Sequence, residues 1–104
     1  MKQIFIYLLL LNGIAFSETD KIEITTESKV LVYSNYFWKP CDEAKALLQS
    51  RGIDFDTKMV TFSRKRVNEM AKRTGGKTFV PQIFVDDKYF GGLEELIDYF
   101  NEKE

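Results

Sequence analysis

Tyr33-Ser34-Asn35-Tyr36-Phe37-Trp38-Lys39-Pro40-Cys41-Asp42-Glu43-Ala44-Lys45-Ala46-Leu47-Leu48 carries the chain from an extended run into a helix around its only cysteine, and this junction decides the fold. Just upstream, Lys29-Val30-Leu31-Val32-Tyr33 is a β-branched apolar run bounded by polar residues, the pattern of a strand buried on both faces. The loop Ser34 to Lys39 follows. Pro40 suits the first turn of a helix, where its missing N–H costs nothing, and Asp42 and Glu43 complement the positive helix start. Ala44, Leu47 and Leu48 form an apolar stripe at helical spacing. Cys41 falls on the same face, which predicts a thiol leaning toward the core. A strand-to-helix turn of this kind commonly holds a reactive Cys-x-x-Cys pair, yet here the first position of the pair is Trp38.

Downstream, Gly52 stops this helix and Ile53-Asp54-Phe55-Asp56-Thr57 reads as a second strand of alternating sidedness. A helix from about Ser63 places Val67, Met70, Ala71 and Thr74 at helical spacing and ends at Gly75-Gly76. Its basic faces, with Arg64, Lys65, Arg66, Lys72 and Arg73, read as solvated surface. Val80-Pro81-Gln82-Ile83-Phe84-Val85 is a third strand, with proline near its start where no ladder bond is needed. Asp86-Asp87-Lys88 turns tightly into Tyr89-Phe90, so these two strands should pair antiparallel. After Gly91-Gly92, a last helix carries Leu93, Leu96, Ile97 and Phe100 on one face. The order is β-α-β-α-β-β-α. Right-handed crossovers then predict an α/β fold in which a four-stranded mixed sheet has helices on both faces.

At 104 residues the chain fits one domain, and 44% hydrophobic with 30% charged residues is ordinary for a globular protein. A formal net charge of −1 removes the global electrostatic argument for nucleic acid or an acidic membrane. With no histidine and one cysteine, a structural zinc cluster, a Ser/His or Cys/His catalytic pair and an intramolecular disulfide are all excluded, and no metal site is expected.

The first residues are of another kind. Lys2 precedes the apolar run Ile4 to Leu11, and Ala15-Phe16-Ser17 supplies small residues at the two positions a signal peptidase reads. Residues 1–17 are therefore expected to be a signal peptide, 18–28 a polar lead-in arm with a short extended piece at Ile22-Ile24, and 29–104 the domain. A periplasmic or secreted protein follows, with no membrane span once the signal is removed. The alternative is a membrane anchor, should the apolar segment stay uncleaved.

Four signatures in order resemble the glutaredoxin branch of the thioredoxin superfamily between about Lys29 and Phe100. They are Val30-Leu31-Val32-Tyr33 ending eight residues before a Cys; Cys41-x-x-Ala44-Lys45-Ala46-Leu47-Leu48 followed by Gly52-Ile53; Thr78-Phe79-Val80-Pro81-Gln82-Ile83-Phe84-Val85; and Gly91-Gly92-x-Glu94-Glu95-Leu96. The resemblance implies a thioredoxin-like fold and glutathione-dependent thiol-disulfide exchange, with glutathione or a cysteinyl peptide or protein as partner. It implies a cis-proline at Pro81 that presents the backbone of Val80 to a cysteinyl substrate. It also implies a glutathione site at Lys39, Phe79, Val80, Pro81, Gly92, Leu93 and Glu94. Free N–H groups at a helix start have the chemistry to bind a carboxylate there, although an isolated Gly-Gly more often only caps a turn.

The departures are specific. The family's nucleophile position is Trp38, and the next two residues are Lys39 and Pro40. A lysine often found three before the nucleophile is Asn35. Cys41 aligns with the second, resolving cysteine and is the only candidate for a catalytic residue. The first helical turn and Lys39 favour its thiolate, whereas the core-facing register with Asp42 and Glu43 favours the thiol, and the second set is judged the stronger. Phe37-Trp38 reads either as a lid over the turn or as exposed aromatics covering the domain edge. The alternative function is a redox-inactive thioredoxin-fold module that binds glutathione, a cysteinyl peptide or a partner protein. A third reading, an arsenate reductase of similar fold, rests on Tyr33-Ser34-Asn35 and also needs a nucleophile at position 38.

Overall fold

The computed structural model describes residues 22–103. The expected signal segment and the first part of the lead-in arm lie outside them. Strands β1 (Val30–Ser34), β2 (Asp56–Met59), β3 (Gln82–Val85) and β4 (Lys88–Gly91) and helices α1 (Lys39–Ser50), α2 (Arg64–Thr74) and α3 (Leu93–Lys103) follow in the order expected from the sequence. The sheet runs β2-β1-β3-β4. β1 is parallel to β2, with Leu31 opposite Asp56, and antiparallel to β3, with Val32 opposite Ile83. β3 and β4 form a hairpin around Asp86 and Asp87, both at positive φ (51° and 71°), the conformation whose twist suits a two-residue hairpin loop.

Alternation along β1 and β3 divides the core in two. Val30, Val32, Ile83 and Val85 face α1 and α3, meeting Ala44, Leu48, Leu96 and Phe100. Leu31, Tyr33 and Phe84 face the other way, toward Val67 and Met70 of α2. Helices thus cover both faces, and each apolar stripe finds the sheet surface its period demands.

Some residues sit differently from expectation. The second strand is Asp56–Met59, not Ile53–Thr57. Ile53 is a buried plug behind the Gly52 turn, its N–H donating to Leu48 O at 3.0 Å, and pairing starts only where the backbone comes alongside β1. Ile97 is 40% exposed instead of lying in the α3 stripe. The helix is rolled toward Tyr99, which stacks edge-on to Phe90 and Phe100 and whose hydroxyl accepts the Ile24 N–H at 2.9 Å. Cys41 faces inward, but it joins Tyr33, Val60, Met70, Val80 and Phe84 and not the cluster of Ala44 and Leu48. The end of the lead-in arm forms no strand. It is tied down by buried Ile24 and by Glu23, which accepts from Lys103 Nζ at 3.1 Å.

Across the α2 face runs a polar chain. Lys58 Nζ donates to Glu69 Oε2 at 2.6 Å, the Tyr33 hydroxyl donates to the same carboxylate, and Arg73 donates to Tyr33 Oη at 2.9 Å and reaches Asp87 at 3.3 Å. The Lys58 and Tyr33 hydrogen bonds hold the Glu69 carboxyl below its usual value. Burial, and then the Glu69 hydrogen bond, push the Tyr33 phenol up. The chain joins β1, β2, α2 and the hairpin.

Candidate functional site

The turn leaving β1 is held by one residue of the β2–α2 connection. The Thr61 hydroxyl donates to Asn35 Oδ1 and accepts the Tyr36 N–H at 3.1 Å. Phe37 then takes a positive φ of 56° with its ring fully in solvent. Trp38 is the N-cap of α1, in extended conformation, and its carbonyl accepts the N–H groups of Cys41 (3.0 Å) and Asp42 (3.3 Å). The helix starts here because Pro40 in the first turn has no N–H to satisfy and a fixed φ suited to the helix.

Cys41 is free and 0% exposed, enclosed by apolar side chains. Its sulfur therefore cannot meet a second sulfur in solution without some opening of that cover. Asn35, in place of a cation, is spent on bracing the loop.

The facing wall is the segment before β3. The Val80–Pro81 bond is cis. Buried Gln82 fixes this segment, donating through Nε2 to Phe79 O at 3.0 Å and accepting the Tyr89 hydroxyl at 2.7 Å. From the turn, Trp38 reaches across, and its indole N–H donates to Val80 O at 3.0 Å. The start of α3 closes the third side. Glu95 Oε1 accepts the Gly92 N–H at 2.7 Å, a reach-back cap, and Leu96 N–H donates to Gly92 O at 3.1 Å. A Cβ on Gly92 would stand 3.1 Å from Pro81 O, so glycine lets the helix start approach the proline.

Between these walls lies a groove of about 390 Å³, within the range of small-ligand sites. It brings together Phe79, Val80, Pro81, Gly92, Leu93 and Glu94 of the expected set. Lys39 is not among its lining residues. Its side chain points into solvent with the ammonium 4.0 Å from Glu43, and Pro40 takes the place beside the groove. Sequence reasoning missed Lys77, Gln82, Tyr89 and Glu95, which also line it. Only Glu95 had a readable signal, an acid at the third helical position after Gly92. Among the described residues no group of three or more acidic, cysteine or histidine side chains is placed to hold a metal, and no helix is long and apolar enough to cross a membrane.

A family model described as Glutaredoxin matches residues 30–90. Glutaredoxin 3 of Escherichia coli (strain K12) is 38% identical over 69 residues, 66% of this chain and 82% of its own length. The solution structure of glutaredoxin from Brucella melitensis superposes with a TM-score of 0.63 at 31% identity, over 75% of this chain and 84% of that one. A buckwheat glutaredoxin-glutathione complex shares the fold, with a TM-score of 0.66 at 18% identity over 75% of this chain and 73% of that one.

Proposed function

The chain belongs to the glutaredoxin family, and from that premise we propose that it serves glutathione-dependent thiol-disulfide exchange with Cys41 as its only redox residue and Trp38 in the nucleophile's place. The family supports the thiol-disulfide role itself. The observation that carries the binding half of the reading is the groove between cis-Pro81 and the start of α3, which gathers Phe79, Val80, Pro81, Gly92, Leu93 and Glu94. The N–H groups of Leu93 and Glu94, in the first turn of α3, have no intrahelical acceptor and suit a carboxylate of glutathione. The Glu94 carboxylate suits its ammonium. The buckwheat relative solved with glutathione supports the choice of ligand for this fold. In exchange, Cys41, deprotonated to the thiolate, would attack one sulfur of a glutathione disulfide, forming a Cys41–glutathione S–S bond as the bond between the two glutathiones breaks and the other leaves as thiolate, so the thiol must first become accessible.

The complete burial of Cys41 favours a second reading, in which the same groove binds glutathione, a cysteinyl peptide or a partner protein without exchange. Alkylation of the folded protein separates the two. Labelling without denaturant, at a rate that glutathione disulfide suppresses, supports exchange. Labelling only after unfolding, together with glutathione binding that survives Cys41→Ser, supports the binding module. Lys2, the Ile4 to Leu11 run and Ala15-Phe16-Ser17 support our proposal of a periplasmic or secreted protein, with the uncleaved anchor as the alternative. N-terminal sequencing of the protein from fractionated cells tests this, and a start at Glu18 is the expected result.

A further inference from the structure

The groove has two halves in different states. At the α3 half, only the Gly92 N–H is taken up, by Glu95, and the N–H groups of Leu93 and Glu94 remain without intrahelical acceptors. At the other half the main chain of Val80 faces the turn, and its carbonyl already accepts the Trp38 indole N–H at 3.0 Å. The bond ties the residue before α1 to Val80, which lines the groove, while Trp38 itself is not among the lining residues.

The backbone of Trp38 is fixed by the two α1 N–H groups its carbonyl accepts. The residue is 49% exposed, and its side chain turns on only two torsions. The indole is a donor only, so it has no competing role as an acceptor. A ligand laid along Val80 in extended form would direct its own main-chain N–H at this same oxygen. The indole N–H already holds an acceptor site of that oxygen, for which such a ligand competes.

Resting on the reading of the groove as a glutathione site, we infer that Trp38 is its specificity-determining residue: the indole stands in for ligand main chain at Val80, and a γ-glutamyl-cysteinyl ligand must displace it to bind. Ligands confined to the α3 half enter without moving the indole. Extended ligands bear the cost of breaking the Trp38–Val80 hydrogen bond, which lowers their affinity about two- to tenfold. Position 38 then selects ligands by main-chain competition, where in a thiol-bearing relative it would react with sulfur.

S-methylglutathione, which cannot exchange, is the probe. Its affinity is measured by calorimetry for the full chain and for Trp38→Phe, which keeps an aromatic ring and removes the N–H. Trp38 is the only tryptophan, so its indole N–H gives a single assignable resonance in the wild-type protein. The expected result is a two- to tenfold tighter Kd for Trp38→Phe, together with a shifted indole resonance in the saturated wild type. An unimproved affinity in a folded Trp38→Phe, or an indole resonance unmoved at saturation, overturns the inference while leaving the glutathione groove in place. If Trp38→Phe does not fold, the resonance alone decides. Binding to neither protein at millimolar peptide overturns the groove reading and the inference together.

Discussion

Gly91 and Gly92 are adjacent, yet the structure asks different things of them. Gly91 has φ +139°, and a Cβ built there lies 2.7 Å from Glu95 Cγ and 2.8 Å from Glu95 Cβ. The Glu95 stem cannot withdraw freely, because its carboxylate caps the Gly92 N–H at 2.7 Å and the next residue, Leu96, is wholly buried. For Gly91→Ala, a backbone conformation almost reserved to glycine costs about 1–3 kcal/mol. Forcing a methyl against packed atoms costs about another 1–3 kcal/mol. The expected loss is about 2–6 kcal/mol, a large part of the roughly 5–15 kcal/mol a domain possesses. Gly92 has no positive φ, and its added Cβ would meet Pro81 O at 3.1 Å, a contact that a shift of a few tenths of an ångström relieves. Gly92→Ala should therefore cost less than about 1 kcal/mol while narrowing the groove, so its main effect falls on ligand affinity. Urea unfolding of the three proteins, with midpoints and slopes compared, checks the pair. If Gly91→Ala lies within about 0.5 kcal/mol of wild type, or Gly92→Ala is the more damaged, the account of the β4–α3 junction is wrong.

Two further outcomes follow from residues outside the groove. Because hydrogen bonds from Lys58 and Tyr33 depress the folded Glu69 carboxyl, its contribution is present above the unfolded value and is lost as pH falls through the folded one; Glu69→Gln should flatten the acid limb of stability below the ordinary glutamate value of 4.5, and urea midpoints that still fall in parallel with wild type would contradict it. Phe37 and Phe62 hold positive φ (56° and 61°) with fully exposed rings, so Phe37→Gly and Phe62→Gly relieve backbone strain without losing burial and should each raise stability by up to about 1 kcal/mol in thermal melts, after the entropy of glycine is set against the gain.

The parts of the fold that were legible in the sequence are those where local pattern and tertiary demand agree. Val30 to Tyr33 had to be a central strand because it is apolar on both faces, and the structure gives both faces helices to cover. The Asp86-Asp87 turn and the Gly75 helix end were readable because backbone geometry there selects a few residue types. The edge strand was misplaced for the opposite reason. Ile53 and Phe55 alternate like a strand, but edge pairing is set by where β1 offers free backbone groups, opposite Asp56 to Met59. At the site, short signatures located Phe79 to Pro81 and Gly92 to Glu94. Lys77, Gln82 and Tyr89 were invisible because they reach the groove through tertiary packing, and the Trp38–Val80 bond joins residues whose proximity only the folded chain creates.

The burial of Cys41 is best treated as a rate. Cys41 lies in one buried cluster with Tyr33, Val60, Met70, Val80 and Phe84, and Val80 is held to Trp38 by one hydrogen bond. If release of Trp38 and a small shift of Val80 suffice to admit a reagent, the cost is about 2 kcal/mol, and alkylation runs about 30-fold slower than for a free thiol. If the whole domain must open, the cost is the global stability, at least about 5 kcal/mol, and the rate falls by more than about a thousandfold. The two routes differ in denaturant dependence, because local opening exposes little surface and its rate hardly changes at low urea, whereas global opening accelerates with the full unfolding slope. Only the local route leaves Cys41 able to exchange with glutathione disulfide on a useful timescale, and on that route Trp38→Phe should quicken labelling several-fold. A labelling rate that tracks global unfolding and ignores position 38 removes Cys41 from the chemistry and leaves the groove as a binding site alone.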